Sequence, residues 1–283
     1  MFIIDAQVHV WLPDRADRPW PKDNHAAPHL PEALTYERML ALMQEAGVDR
    51  AILVPPSWDG NRTDHALEAA RKYPDRFGVV ARVPLDDKNC PEIVAGWKQQ
   101  PGMLGIRMVF VRPSEQAALK NGSVDWFWKA AESANIPVMV HVPQSSTELA
   151  AIAQRHPQLK LIVDHMGLYK LTTRDAGFTQ AIDRTVELSR FPNVHVKLSS
   201  IPYYSVEPYP FSDMYPHVRR LIEAYGPKRS FWGTDISKLL PRHSYRTCVD
   251  HMLQMDFLSN EDKEWIMGRA LAQCMGWPIP ARE

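Results

Sequence analysis

The chain has 283 residues, 45% of them hydrophobic and 23% charged, with 33 Lys+Arg balanced by 33 Asp+Glu. These fractions exclude a disordered, fibrous or collagen-like protein, and a chain of this size buries roughly three quarters of its unfolded surface, enough for one large core without disulfides or structural metal. Zero net charge removes the basic excess that nucleic acids and anionic membranes recruit, so the expected partner is a small molecule recognised by local charge, with no nucleic acid and no membrane. Cys90, Cys248 and Cys274 are odd in number, far apart and form no CxxC pair. With no basic and apolar leader at the N-terminus and no apolar stretch near bilayer length, a soluble cytoplasmic protein is expected.

Short β-branched runs bounded by breakers predict eight strands, at 2–10, 50–56, 78–84, 105–111, 136–143, 159–166, 194–200 and 230–236. Most start continuously apolar, as parallel strands covered on both faces do. Helical spacing fills the intervals. In 35–47, Met39, Leu40, Leu42, Met43 and Ala46 make a stripe between a capping Thr35 and a terminating Gly47. Further helices are predicted near 61–73, 91–100, 123–135, 147–156, 177–191, 213–226, 242–255 and 259–275. Eight strand–helix alternations predict an α/β fold, a single-domain (β/α)8 TIM barrel over residues 1–283. A doubly wound open sheet would carry a glycine-rich phosphate turn after the first strand, and residues 5–11 contain no glycine. Two insertions, 11–34 and 201–212, follow strands and so belong over the C-terminal mouth.

What the strands end in is the informative pattern. The first ends in Gln7-Val8-His9, the fifth in His141, the sixth in Asp164-His165 and the eighth in Asp235; the third and fourth carry Arg82 and Arg107, and the seventh Lys197. Barrel strand ends converge on one mouth, so these residues become neighbours. Gln7 and His9 share one side of their strand by alternation, and two donors with a distant His and a carboxylate match a mononuclear site for zinc or a similar ion. His25 and His29 lie in a polar Pro-rich loop, and His156, His195, His217, His243 and His251 on helices or strand starts, where surface or packing roles are the default. His9, His141 and His165 end apolar strands, where idle imidazoles would need partners. Asp5 and Asp164 read as groups that orient their neighbours. Arg82 reads equally as a barrel ion pair or a substrate contact, and Trp58, Tyr203, Tyr204 and Tyr209 as pocket wall.

D-A-Q-V-H-V-W at the end of strand one, His141, D-H-M-G at 164–167, V-K-L-S at 196–199 and W-G-T-D at 232–235 resemble the amidohydrolase superfamily in the same order across nearly the whole chain. Within it the chain is most similar to the amidohydrolase 2 group, which includes pyrone-dicarboxylate, sulfomuconolactone and sugar lactonases and metal-dependent decarboxylases. The resemblance implies that His9 and His141 are metal ligands where a metal is kept, that His165 is a ligand or polarises the substrate, and that Asp235 takes a proton from the attacking water. Gln7 stands where the group carries the first His of H-x-H, and a glutamine carbonyl is a poorer zinc ligand than imidazole. Arg107 stands where two-metal members carry a bridging Lys or Glu, so no binuclear site is expected.

The resulting expectation is a hydrolase that opens a small carboxylated lactone by water attack. Asp235 would be the general base, His165, His141 and Arg107 would polarise the carbonyl, and Arg107, Arg82, Lys197, Trp58 and Tyr203 would bind an anionic substrate. One Zn or Mn ion would sit on His9, His141 and Asp235 with Gln7 as a further donor; a metal-independent mechanism, known in the lactonase branch, is the other expectation. The alternatives are a metal-dependent decarboxylase of an aromatic or unsaturated acid and a non-catalytic barrel that binds a small acid. The tail at 277–280 could cover its own barrel or a partner in a homo-oligomer.

Overall fold

The computed structural model describes residues 1–22, 26–85, 87 and 89–280; His25 lies outside the described residues. All eight expected strands are present: β1 Ile4–Val8, β2 Arg50–Leu53, β3 Phe77–Ala81, β4 Met103–Val109, β5 Val138–His141, β6 Leu161–Val163, β7 Val194–Ser199 and β8 Ser230–Gly233. They form one parallel sheet in sequential order with helices between them, a (β/α)8 barrel. Where the strands begin, Ile4, Ile52, Val80, Met139, Ile162 and Phe231 fill the interior, and the helix Ala270–Met275 packs against them. The tail packs on its own barrel: Arg50 donates to the carbonyls of Trp277 and Pro278 at 3.3 and 3.0 Å, with its guanidinium 4.4 Å from the Trp277 ring.

The seam between β1 and β8 is held largely by one side chain. Asp235 N–H donates to the Gln7 carbonyl at 2.8 Å. Below that bond the buried Asp5 carboxylate accepts from Gln7 N (2.9 Å), Thr234 N (2.9 Å), Thr234 Oγ1 (2.5 Å) and Tyr245 OH (2.8 Å). A register shift of β1 against β2 between Asp5 and Val8 falls in the same stretch of β1.

Three departures from the expected elements bear on the site. The interval after β4 contains an additional helix, Pro113–Lys120, begun by Pro113 in the first turn and by the Glu115 carboxylate, which accepts from the N–H groups of Val111 and Arg112 at 2.9 and 2.8 Å. The expected helix at 259–275 is interrupted by a π-helical turn at Trp265–Arg269, where a Cβ on Gly268 would collide with the Phe2 carbonyl. Finally, β6 and β8 stop three residues early. After β6, β7 and β8 the chain turns through the left-handed region at His165 (φ 52°), Ser200 (φ 63°) and Asp235 (φ 56°). No helix among the described residues is long and apolar enough to cross a membrane.

Asp5→Asn should lower stability by about 2–4 kcal/mol, because an amide N–H₂ then faces buried donors. The check is the urea midpoint at unchanged m value. Burial pushes the Asp5 carboxyl up to about 6 from 3.8, against the pull of its four donors. A raised folded-state value means that this group's contribution falls as pH rises between those two values, and the Asn variant should lose that part of the pH slope. A wild-type midpoint would move barrel closure to other residues.

Candidate active site

The floor of the mouth is a buried ion triad. Asp164, at the end of β6, receives the Lys197 ammonium on Oδ1 at 2.6 Å and the Arg107 Nε–H on Oδ2 at 2.7 Å. Burial alone would raise the Asp164 pKa, but Lys197 and Arg107 hold it far below the usual carboxylate range; burial pulls Lys197 down. Lys197 also donates to Gln7 Oε1 at 2.6 Å. An ammonium has only donors, so the amide oxygen must face it, and the Gln7 N–H₂ is thereby turned to His9 Nε2 at 3.3 Å. His9 Nδ1 donates to the Val54 carbonyl at 2.6 Å, which fixes its proton there.

Above this floor lies the second carboxylate. Asp235 is fully buried, with Oδ1 3.1 Å from His9 Nε2 and Oδ2 3.1 Å from Lys238 Nζ. Ser200 Oγ donates to the same Oδ2 at 3.3 Å. Burial would raise the Asp235 pKa; the Lys238 ammonium beside it is the largest opposing influence, and the carboxylate stays well below its ordinary range. Ser199 and Ser200 Oγ lie 2.8 and 3.3 Å from His165 Nδ1; with the Ser200 proton given to Asp235, Ser199 donates to Nδ1, which leaves the ring proton on Nε2. Burial keeps His165 and His141 neutral, His141 at about 4. The two rings meet edge to face at 5.3 Å, and His141 Nε2 donates to the Leu168 carbonyl at 3.3 Å.

Two guanidinium groups retain N–H groups that no acid takes up among the described residues. Beyond its Nε–H, Arg107 has no hydrogen-bond partner for its terminal nitrogens among the described residues. Arg82 is held by the carbonyls of Pro56 (3.0 Å) and Gly60 and makes no ion pair among the described residues. Burial, then the nearby Arg107 charge, bring the Arg82 pKa down to about 10. Trp58 stands 6.0 Å from the His9 ring, with a buried indole N–H that has no partner among the described residues. Tyr203 is partly exposed under the Lys238 ammonium, 5.3 Å from its ring.

The structure thus gathers His9, His141, His165, Asp235, Arg82, Arg107, Trp58 and Tyr203 around the mouth. Two expectations need correction. Lys197 has no exposed surface, and its ammonium is committed to Asp164 and Gln7, so it supports the site from beneath. The expected metal ligands do not all converge: His9 and Asp235 meet, but Gln7 offers His9 an N–H, His141 turns Nε2 to a carbonyl, and no group of three His, Cys, Asp or Glu among the described residues could hold an ion. This donor set does not fit a resident Zn or Mn ion. Two residues escaped the sequence reading, and a third was read as a loop histidine without a role in the site. Lys238 and Ser200 touch Asp235, and His29, from the 11–34 insertion, donates or accepts at Ser237 Oγ (2.8 Å) beside Trp58 (4.7 Å) and His9 (5.8 Å). Burial lowers the His29 pKa to about 4.

A sequential barrel whose mouth joins strand-end histidines to a carboxylate on β8 defines a class of hydrolase. The sequence profile of the amidohydrolase family matches residues 4–270, and the chain belongs to that family. It is an amidohydrolase-type hydrolase, which sets aside the non-catalytic reading. L-fucono-1,5-lactonase of Burkholderia ambifaria is 26% identical over 245 residues, 83% of this chain and 80% of the relative. 4-Sulfomuconolactone hydrolase of Hydrogenophaga intermedia is 26% identical over 210 residues, 73% of this chain and 66% of the relative. An amidohydrolase of Burkholderia multivorans crystallised with zinc shares the fold at TM-score 0.81 and 21% identity, over 98% of this chain and 100% of that one.

Lys197→Met should cost about 3–5 kcal/mol, since it strands the Asp164 charge, and Lys197→Met with Asp164→Leu should cost less than the single change. Chemical denaturation of the three proteins checks this; a double variant no better than the single would show that the pair is not the source of the cost.

Proposed function

We propose that the chain hydrolyses a small carboxylated lactone by water attack on the ring ester, without a resident metal. The observation that carries this reading is a buried, ionised carboxylate, Asp235, beside a neutral imidazole, with two guanidinium groups nearby: Arg107, whose terminal nitrogens have no partner among the described residues beyond its Nε bond to Asp164, and Arg82, which makes no ion pair among them. The names of the two curated relatives, a lactonase and a lactone hydrolase, support the same reaction class.

The chemistry follows from the charges. Asp235 accepts a proton from water as the oxygen attacks the carbonyl carbon. The developing oxyanion is met by the His165 Nε2–H and by Arg107, both fixed before the substrate arrives, which is where electrostatic stabilisation is most effective. The remaining N–H groups of Arg107 and Arg82 receive the substrate carboxylate, with Trp58 and Tyr203 as walls. A decarboxylase of the metal-dependent type needs a firmly held ion, and the Gln7 and His141 orientations do not favour one. No disulfide joins the three buried cysteines among the described residues, which supports placing the reaction in the cytoplasm.

The test is a pH-stat screen of sugar-type and pyrone-type lactones. Asp235→Asn should lower the rate by about 10²–10⁴, and Arg107→Met should raise KM about tenfold or more for carboxylated over neutral lactones. Chelator treatment should leave the rate unchanged. A near-wild-type rate for Asp235→Asn removes that residue from the base role.

A further inference from the structure

Ser200 is an expensive residue in conformational terms. It sits immediately after β7 at φ 63°, ψ 25°, fully buried, where a side chain strains the backbone and glycine would not. Such strain persists where surrounding structure enforces it, and it is concentrated at functional sites. The Ser200 hydroxyl reaches both halves of the proposed machinery, 3.3 Å from Asp235 Oδ2 and 3.3 Å from His165 Nδ1. Ser199, at 2.8 Å from the same Nδ1, only fixes the imidazole. The two residues Ser200 links are themselves left-handed at φ 56° and 52°, so all three strand ends bend toward one another.

We infer that Ser200 relays the proton taken from water to the leaving oxygen of the lactone. The inference rests on the lactone-opening reading. Lactone hydrolysis has two proton tasks at different oxygens: water must lose one as the C–O bond forms, and the ring alkoxide must gain one as the other C–O bond breaks. Asp235 performs the first and becomes a carboxylic acid. As the tetrahedral intermediate collapses, His165 gives its Nε2 proton to the departing alkoxide. Its Nδ1 accepts the Ser200 hydroxyl proton, and Ser200 takes the proton held by Asp235. Asp235 is ionised again and His165 is left as the other neutral tautomer. The product acid then returns a proton to Nε2, and the Nδ1 proton leaves through Ser200 and Asp235 to solvent. The sum is lactone plus water giving hydroxycarboxylate plus one proton. No oxidant, ion or second substrate enters.

This relay has a signature that a structural role lacks, because only a poor leaving group needs the proton. Two probes separate the cases: a carboxylated δ-valerolactone, which expels an alkoxide, and a carboxylated dihydrocoumarin, which expels a phenoxide. Ser200→Gly should lose about 10² in kcat on the first and less than about fivefold on the second. Its Tm should rise by about 2 °C, because glycine adopts the left-handed turn without strain. Ser200→Ala, which keeps the strain and removes the hydroxyl, should show the same split in kcat without the gain in Tm. Equal losses on both probes, or no loss on either, would overturn the relay while leaving lactone hydrolysis intact. A wild-type protein that opens neither probe overturns the lactone reading and the relay with it.

Discussion

The buried charge of Asp164 governs the arrangement of the mouth. A carboxylate without solvent exposure is tolerable only when cations and hydrogen bonds replace its water, and Asp164 has two, from β4 and β7, within 2.7 Å. Satisfying that charge fixes everything attached to its partners. Lys197, held there, presents a second N–H to Gln7 and decides which end of the amide faces His9; His9, held by Val54, sets one side of Asp235. Arg107, anchored through Nε, is left with terminal nitrogens that have no hydrogen-bond partner among the described residues. The triad carries two positive charges against one negative, so the interior beneath the mouth favours an anion even before the rim is considered.

The second constraint is backbone geometry. A strand that continued past Val163 or Gly233 would alternate its side chains in and out of the barrel and could not place adjacent functional groups together. The left-handed turns at His165, Ser200 and Asp235 break that alternation and aim three short-reach groups at a common point. The turn after β6 requires Gly167 as well: its φ is 73°, and a Cβ there would collide with the Thr185 hydroxyl, which caps the Met166 carbonyl at 3.0 Å. Backbone strain at these three ends is therefore coupled to the packing of the neighbouring helix Phe178–Glu187, which carries Thr185.

How far this could be read from sequence follows from the range of the forces involved. Strand positions were legible because β-branched runs such as residues 138–140 announce themselves locally, whereas strand ends at β6 and β8 were overextended because His165 and Asp235 give no local sign of a positive φ. The helix at Pro113–Lys120 did carry local signals, Pro113 at the start and Glu115 two residues on, yet the expected elements omitted it. His29 was not: its meaning depends on Ser237, 208 positions away. Lys197 was placed at the mouth because it is near a strand end, but Leu198 packs outward in the helix-facing core, so Ser199 and Lys197 both face inward and Lys197 lies roughly 7 Å deeper. The same depth argument applies to Gln7, whose carbonyl was expected to face an ion and instead faces an ammonium.

Overall neutrality and a cationic mouth are reconciled by where the acids are. Ion pairs such as Arg155 with Asp125, Arg246 with Asp250 and Arg269 with Glu264 join partly exposed side chains on the helices, where water and salt screen each charge within about 8 Å. They cancel in the sum and contribute little field at the barrel axis. Arg107 is buried and Arg82 half-buried at the strand ends, where screening is weak; Arg107 shares Asp164 with Lys197, and Arg82 makes no ion pair among the described residues. On the proposed reading, a small carboxylate entering the mouth would meet a weakly screened positive region, while a polyanion approaching the outer surface would meet alternating charge. Such a distribution would select by size as well as by sign, because only an anion small enough to leave solvent and reach the strand ends would experience the full attraction.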